Sequence, residues 1–465
     1  MVSEANAPRW VSSGFLGRAG WVLVDWAYQP FLALSAFVFA PYFASQIVGD
    51  AVAGQSLWGF MLGAVGLVVG LSAPFLGAVA DAVGRRKGWI ALASAITVVA
   101  AAGLWFADPA QGALFALIVY GVALAGSEFA TIFYNAMLPS LVRPETTGRL
   151  SGIGWGIGYA GGLVALVLVL LTMVLPQTPA FGLDPVAYEA ERLSMPLSAL
   201  WLALFLIPFF LFTPDLPASG LNLRQGVGDG LLRLKHTIGQ ARHLTNVGRF
   251  LIARMLYQDG LTALMSFAGL YGAGIFGWGT TELGLFAIFA IIAAVPGSIF
   301  GGVLDDRLGS KHAVILAITG LLIASLGVVS VGPAEIFFVI PVAPAIPDGG
   351  LFSSPAEQTF LAFGLLAGLC VGPAQAASRT LMASLTPRGM VAEFFGLYAL
   401  SGKATSFLAP LLIGIVTAAT GSQRPGIAVL VVLMALGLAL LLAVRVERAA
   451  IASDKQLSPH GEAES

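Results

Sequence analysis

Gly77-Ala-Val-Ala-Asp81-Ala-Val-Gly84-Arg85-Arg86-Lys87 closes one long apolar run, and Gly302-Val-Leu-Asp-Asp306-Arg-Leu-Gly309-Ser310-Lys311 closes another. Both read G-x-x-x-D-x-x-G and reach a lysine within three residues. A weaker echo joins Ser140-Leu-Val-Arg-Pro144 to Ser384-Leu-Thr-Pro-Arg388. A segment repeated in parallel between two halves of a chain predicts two related bundles. The chemistry of the repeat is legible. Gly77 permits close helix contact, Gly84 permits a tight turn, and the basic cluster stays with lipid headgroups. Asp81 at a helix end suits a cation or another helix's positive N-terminus. Such a contact serves either as a gate latch, broken when the halves swing, or as a static staple.

The runs themselves form a series. A membrane-crossing helix needs about 20 mostly apolar residues. Twelve stretches supply them, roughly 20–45, 57–82, 89–107, 112–138, 149–175, 196–213, 250–276, 281–305, 312–331, 357–385, 391–419 and 424–445. Backbone polar groups find no water in hydrocarbon, so each is expected as a helix. The alternating pattern of a membrane barrel is absent. Composition agrees, with 58% hydrophobic and 10% charged residues where soluble domains carry roughly 25% charged. Mean hydropathy is +0.89. The expected fold class is an all-α membrane protein, twelve transmembrane helices in two six-helix pseudo-repeated bundles. Residues 1–18 are polar, and the following run is too long for a signal sequence, so it is expected as the first permanent span.

Lys and Arg set the orientation. With twelve spans, Arg9, Arg18, Arg85, Arg86, Lys87, Arg143, Arg149, Arg224, Arg233, Lys235, Arg242, Arg249, Arg307, Lys311, Arg388, Arg445, Arg448 and Lys455 share one side. The opposite loops hold Arg192 and Arg424. This asymmetry predicts cytoplasmic termini. The expected organisation is an N-terminal bundle over 1–213, a cytoplasmic linker over 214–249, and a C-terminal bundle with a short tail over 250–465. Leu231–Leu244 mixes apolar and basic residues at helical spacing, which suits an interfacial helix or a solvated linker. On the other side, 332–356 reads as an irregular loop.

Several chemistries are not expected. A net charge of −1 attracts no nucleic acid. Cys370 is the one cysteine, which excludes a disulfide framework or thiolate cluster. His236, His243, His312 and His460 show no metal-ligand spacing, and no GxSxG motif or His pair suggests an enzyme. No GxxxxGK[ST] motif is present, so ATP is not the expected direct energy source. The chain is expected to use no cofactor or metal. Its partners are the lipid bilayer and a small-molecule substrate, with protons as the candidate coupling ion and no obligate protein partner.

Gly77–Lys87 resembles the loop 2–3 signature of the major facilitator superfamily. Other segments resemble one branch, the vacuole-effluxer-like family that includes fungal autophagy-related amino-acid exporters. They are Asp25-Trp26-Ala27 with Phe39-Ala-Pro-Tyr-Phe43, Phe133-Tyr-Asn-Ala-Met-Leu-Pro139, Ser151-Gly-Ile-Gly-Trp155 through Gly158-Tyr-Ala-Gly-Gly162, Gln375-Ala-Ala-Ser-Arg379, and Glu393 through Lys403-Ala-Thr-Ser. The resemblance runs from about residue 20 to 445. It implies an alternating-access carrier and, by analogy, amino-acid efflux. Sugar or drug export on the same fold is the alternative, and a non-transporting receptor a more distant one. The alanine- and glycine-rich composition suits a bacterial inner membrane.

Charges at mid-bilayer are disfavoured by about 2.5–3.5 kcal/mol each on insertion scales and so mark function. The chain keeps Asp25, Glu128, Arg254, Asp259, Arg379 and Lys403 within spans. The resemblance implies that spans 1, 4, 7 and 10 line a central cavity, and five of the six lie on those spans. By helical rise Glu128 and Lys403 sit near mid-membrane, whereas Asp25, Arg254 and Arg379 lie nearer the cytoplasmic face, where ion pairs among them could close a gate. Glu128 is the leading site for a proton or a substrate amine, or else a structural partner. Arg379 suits a substrate carboxylate or a helix–helix ion pair. Lys403 is expected to be structural. Asn135, Tyr134, Trp155, Tyr159, Gln375 and Tyr398 are uncharged candidates along the path, the aromatic ones better suited to packing. Gly63, Gly66 and Gly70, and Gly154, Gly158 and Gly162, form small-residue stripes for close helix contact.

Overall fold

The computed structural model describes residues 14–83, 85–142, 144–176, 180–215, 245–346, 350–386, 397–398 and 400–446. In chain order the helices are α1 (Phe15–Val48), α2 (Ala51–Val83), α3 (Lys87–Gly103), α4 (Gly112–Leu141), α5 (Pro144–Val169), α6 (Glu189–Phe212), α7 (Thr245–Phe276), α8 (Thr280–Leu308), α9 (Ser310–Ser330), α10 (Pro355–Leu385), α11 (Leu408–Thr420) and α12 (Gln423–Leu442). The chain is a multi-pass membrane protein. Its backbone is helical almost throughout because apolar segments must satisfy their own N–H and C=O groups. Pro30 and Pro41 interrupt the bonding of α1, which widens to π-helical turns at Ser35–Phe39 and Phe43–Val48.

Ten of these helices are long and apolar enough to cross a bilayer by themselves, against the twelve expected. The other two are α7, with 32 residues that include Arg249, Arg254 and Asp259, and α11, with 13. The eleventh span was expected to run unbroken over 391–419. Instead residues 402–407 are turns. Lys403 N–H donates to Leu400 O at 2.9 Å and Leu408 N–H to Thr405 O at 2.7 Å, both tighter than α-helical bonds. Local composition explains the break. Gly402 is a weak helix former, and the hydroxyls of Ser401 and Ser406 donate to the carbonyls three residues before them.

Helix packing repeats with an offset of six. α1 packs on α6 as α7 packs on α12, and α3 on α4 and α6 as α9 on α10 and α12. Likewise α2 packs on α4 as α8 packs on α10. Between the bundles α2 meets α11 and α5 meets α8, a pair that exchanges under the same offset. The two motif lysines obey it too. Lys87 donates to Phe210 O at 2.9 Å and Lys311 to Leu442 O at 3.1 Å. Each caps the C-terminal carbonyls of the sixth helix in its half, where a cation is favoured by the helix dipole. In the second motif it is Asp305, not the motif residue Asp306, that makes the contacts. Asp305 accepts hydrogen bonds from Ser310 Oγ at 2.6 Å and Thr380 Oγ1 at 2.5 Å, while Asp306 is exposed. Gly302 meets nothing nearby and Gly309 supplies the positive φ of the turn.

The glycine stripes lie at helix contacts. A Cβ at Gly59 would stand 2.7 Å from Pro410 O, and one at Gly66 2.8 Å from Phe407 Cα, so α2 approaches α11 backbone to backbone. Gly154, Gly158 and Gly162 bring α5 against Asp25, Gln29 and Ala33 of α1. The segment expected as an irregular loop contains a short antiparallel pair, β1 (Glu335–Ile336) and β2 (Ile340–Pro341). The side chains of Gly77 and Asp81, and all of Gly84, Arg143, Arg388, the helix suggested at 231–244, residues 391–396 and the tail after 446, lie outside the described residues.

Candidate functional site

Glu128 and Lys403 form an ion pair across the two bundles, α4 to the broken start of α11. Their side chains are 26% and 33% exposed, so the pair is partly open rather than enclosed in packed core. Thr131 and Asn135 continue the Glu128 face of α4 at helical spacing, and Asn135 is exposed. On α7, Gln258 Nε2 donates to Thr262 Oγ1 at 3.3 Å on an exposed face.

The other intramembrane charges have different surroundings. Asp25 accepts a hydrogen bond from Tyr134 Oη at 2.8 Å. Tyr134 in turn stacks on Trp21 at 4.5 Å, and Trp21 Nε1 donates to Tyr134 O at 3.3 Å. Gly154 lets α5 close over the same carboxylate. Tyr159 of α5 lies within electrostatic reach of both Asp25 and Arg379, so α1, α5 and α10 converge there. Gln375 and Arg379 are half-buried, one helical turn apart on α10. Trp155 is exposed on α5, 5.8 Å from the Tyr159 ring.

Arg254 is buried. It donates to Tyr398 O at 2.7 Å and Ser401 Oγ at 2.8 Å, and its guanidinium lies 3.6 Å from the centroid of the Tyr398 ring. Tyr257 is hydrogen-bonded to Ser378 at 2.8 Å, tying α7 to α10. The sequence suggested that Asp25 and Arg254 could join ion pairs at a gate. In this structure each finds partners within its own bundle, Asp25 in a hydroxyl and Arg254 in a carbonyl, a hydroxyl and an aromatic face, although Arg254 Nε is left without a partner among the described residues. These partners lower the cost of desolvating each charge. Asp259 is 2% exposed and faces Thr405. The sequence also suggested a structural Lys403; in the structure it reaches Glu128 of α4 from the turns at 402–407.

Toward the face opposite the start of α1, contacts between the bundles accumulate. Gln55 of α2 donates to Thr417 Oγ1 at 2.8 Å and Gln423 O at 3.0 Å, and all three residues are buried. Gly269 of α7 abuts the backbone of Ala36, Gly284 of α8 abuts Leu170, and Thr280 Oγ1 donates to Glu191 at 2.6 Å. An apolar plug of Phe37, Phe267, Phe286 and Phe360 fills the space between. Nearer the face where α1 begins, Gly152 and Gly156 of α5 and Gly302 of α8 have open space around them. Reasoning from sequence missed Gln55, Thr417 and Gln423, although polar side chains near the ends of apolar runs were a usable signal. It also missed Thr405 and Ser401, whose signal was the run of hydroxyl residues Ser401, Thr405 and Ser406 around Gly402. Among the described residues no group of His, Cys, Asp and Glu could hold a metal ion.

Comparison with known proteins fits this arrangement. The "MFS-type transporter YxiO" of Bacillus subtilis is 26% identical over 446 residues, covering 94% of this chain and 96% of that protein. "Autophagy-related protein 22-1" of Neosartorya fischeri is 27% identical over 350 residues, 72% of this chain and 55% of the relative, so the match spans about half the length of the fungal protein. A solved D-xylose–proton symporter superposes with a TM-score of 0.67 at 12% identity, covering 92% of this chain and 97% of that one, which shows the fold. The model of the family described as "Vacuole effluxer Atg22 like" matches residues 45–454. The chain therefore belongs to the vacuole effluxer Atg22-like family and is a membrane transporter of the major facilitator fold.

Proposed function

We propose that this transporter moves small zwitterionic solutes, amino acids in the first place, by alternating access between two six-helix bundles. The bundles are residues 1–213 and 250–465, joined by a cytoplasmic linker over 214–249. Both termini face the cytoplasm of a bacterial cell, and the substrate leaves through its inner membrane. The observation that carries this reading is the Glu128–Lys403 ion pair, one charge from each bundle, standing partly exposed. A zwitterion carries the same two charges. Its ammonium replaces Lys403 at Glu128, and its carboxylate replaces Glu128 at Lys403, with Arg379 as a second, bidentate-capable donor. Binding then exchanges one ion pair for two, so little charge is left uncompensated as the bundles part. Alternating access is rocking of one bundle against the other around that site, through the glycine-lined α2–α11 contact and its counterpart at α5–α8.

Proteoliposomes test this directly. A panel of radiolabelled amino acids, sugars and cationic drugs is offered with and without a pH gradient. Amino-acid exchange is expected, reduced at least about tenfold, the equivalent of 1.4 kcal/mol, in both Glu128→Gln and Arg379→Ala. Transport of sugars or drugs alone, or unaltered amino-acid transport by both variants, overturns the reading.

A further inference from the structure

Asp259 is buried to 2% exposure, and its Oδ2 has no hydrogen-bond partner among the described residues. Thr405, on the broken segment of α11, is the side chain within hydrogen-bonding reach of that carboxylate, and its enclosed Oγ1 makes no well-formed hydrogen bond. Natural interiors rarely leave such groups unsatisfied, and those that remain call for an explanation. The charged group acting on Asp259 is Arg254, little over a turn earlier on α7, whose Nε is also enclosed and unpartnered. Behind Asp259, α12 presents Leu430 and Met434 to the adjacent Gly260. Two unpartnered oxygens facing one another are too few for a metal cation, which takes six or more oxygens when hard and divalent, and the neighbouring guanidinium repels one. They are matched by a single hydrogen.

We propose that Asp259, with Thr405 and the 402–407 turn, is the site at which this transporter takes up and releases a proton. The inference rests on the transporter reading above and names its coupling ion. The step is a simple association: a proton from chamber water bonds to a carboxylate oxygen of Asp259, and no other bond forms or breaks. The neutral acid donates to Thr405 Oγ1. When the proton leaves, the carboxylate requires donors, which Thr405 Oγ1 and Arg254 Nε can supply by moving toward it. Thr405 stands two residues from Lys403 in the same turn, and Arg254 holds that segment through Tyr398 and Ser401. The proton therefore acts on the Glu128–Lys403 pair through the turn. The route assigned to that proton is the exposed face of Gln258 and Thr262, which neighbour Asp259 on α7.

The test uses protons alone on the full-length protein in lipid nanodiscs, read by infrared difference spectroscopy of the carboxyl region across a pH titration. Wild type is expected to gain a protonated-carboxyl band that Asp259→Asn lacks. Thr405→Val is expected to retain the band with its midpoint moved by about one pH unit, the effect of roughly one hydrogen bond. An unchanged band in Asp259→Asn, or an unmoved midpoint in Thr405→Val, overturns the assignment. So does a response driven by added sodium in place of acid. In proteoliposomes, Asp259→Asn should keep amino-acid counterflow and lose accumulation driven by a pH gradient; retained accumulation overturns the proposal. Failure of the wild type to move any amino acid would defeat the substrate reading while leaving the spectroscopic result standing.

Discussion

Removing one member of the Glu128–Lys403 pair should shift the balance between the two faces of the transporter by about 30-fold. Fully exposed ion pairs contribute about 0–1 kcal/mol. Stripping one partner from a fully buried pair costs about 3–5 kcal/mol. With side chains 26% and 33% exposed, this pair falls between those limits, at about 2 kcal/mol. Because it joins α4 to the start of α11, that energy acts on the separation of the bundles rather than on the stability of either. At 1.36 kcal/mol per factor of ten, about 2 kcal/mol is a factor of about 30. The assay places labels at Ile153→Cys on α5 and Phe300→Cys on α8, both exposed on the native surface, in a Cys370→Ala background that removes the one native cysteine. Distance distributions then give the two populations. Glu128→Gln and Lys403→Gln should each depopulate the state described here, in which the far face is closed. The exchanged pair Glu128→Lys with Lys403→Glu should restore most of it. Unmoved populations in both single variants, or no recovery in the exchanged pair, would refute the argument, since attraction between two charges does not depend on which helix carries which sign.

Two further outcomes follow from the packing. Gln55→Ala removes two buried hydrogen bonds across the bundles, about 1 kcal/mol each; a cysteine at Ala290 beside the apolar plug should then react roughly 30-fold faster with an impermeant maleimide from the far face, and an unchanged rate counts against a lock there. Lys87→Ala and Lys311→Ala each remove one carbonyl cap, worth about 1 kcal/mol. Scanning fluorimetry should show equal falls of about 1–2 °C, and a fall for one variant alone would break the proposed equivalence of the two motifs.

Much of the architecture was readable because lipid imposes few solutions. Apolar runs of helical length, a repeated G-x-x-x-D-x-x-G segment and lysine placement fixed helices, halves and relatedness before any coordinates. Six intramembrane charges were found for the same reason, since they are disfavoured wherever they lack a purpose. What escaped was the connection between them. Hydropathy treats 391–419 as one rod, yet it breaks at Gly402, with Ser401 before it and Ser406 beyond. That local break decides where Lys403 and Thr405 stand. Depth alone put Glu128 and Lys403 at one level, but only the packing of α11 across α2 shows that they meet. In the second motif the repeat pointed to Asp306, while helix rotation gives the contacts to its neighbour Asp305. Rotation about a helix axis is set by tertiary packing, which spacing within one short segment cannot encode.

Charge within the membrane is divided unevenly between the bundles. α1 and α4 bring two carboxylates, Asp25 and Glu128. The other bundle brings three cations, Arg254, Arg379 and Lys403, with one carboxylate, Asp259. Unlike charge across a poorly screened gap draws the walls together, and taken alone it would favour a single closed state. A carrier needs that attraction to be conditional. A zwitterion makes it so by satisfying both walls while holding them apart. A proton on Asp259 acts from the other side: it raises the positive charge of the second bundle and releases the hold of a carboxylate on the turn that carries Lys403. Substrate and proton thus work on one ion pair, the first by substitution and the second through the backbone. Linkage then requires reciprocity: whatever factor acid applies to the affinity for substrate, substrate must apply to the affinity for the proton. A transporter in which Asp259 were a bystander would show no such equality.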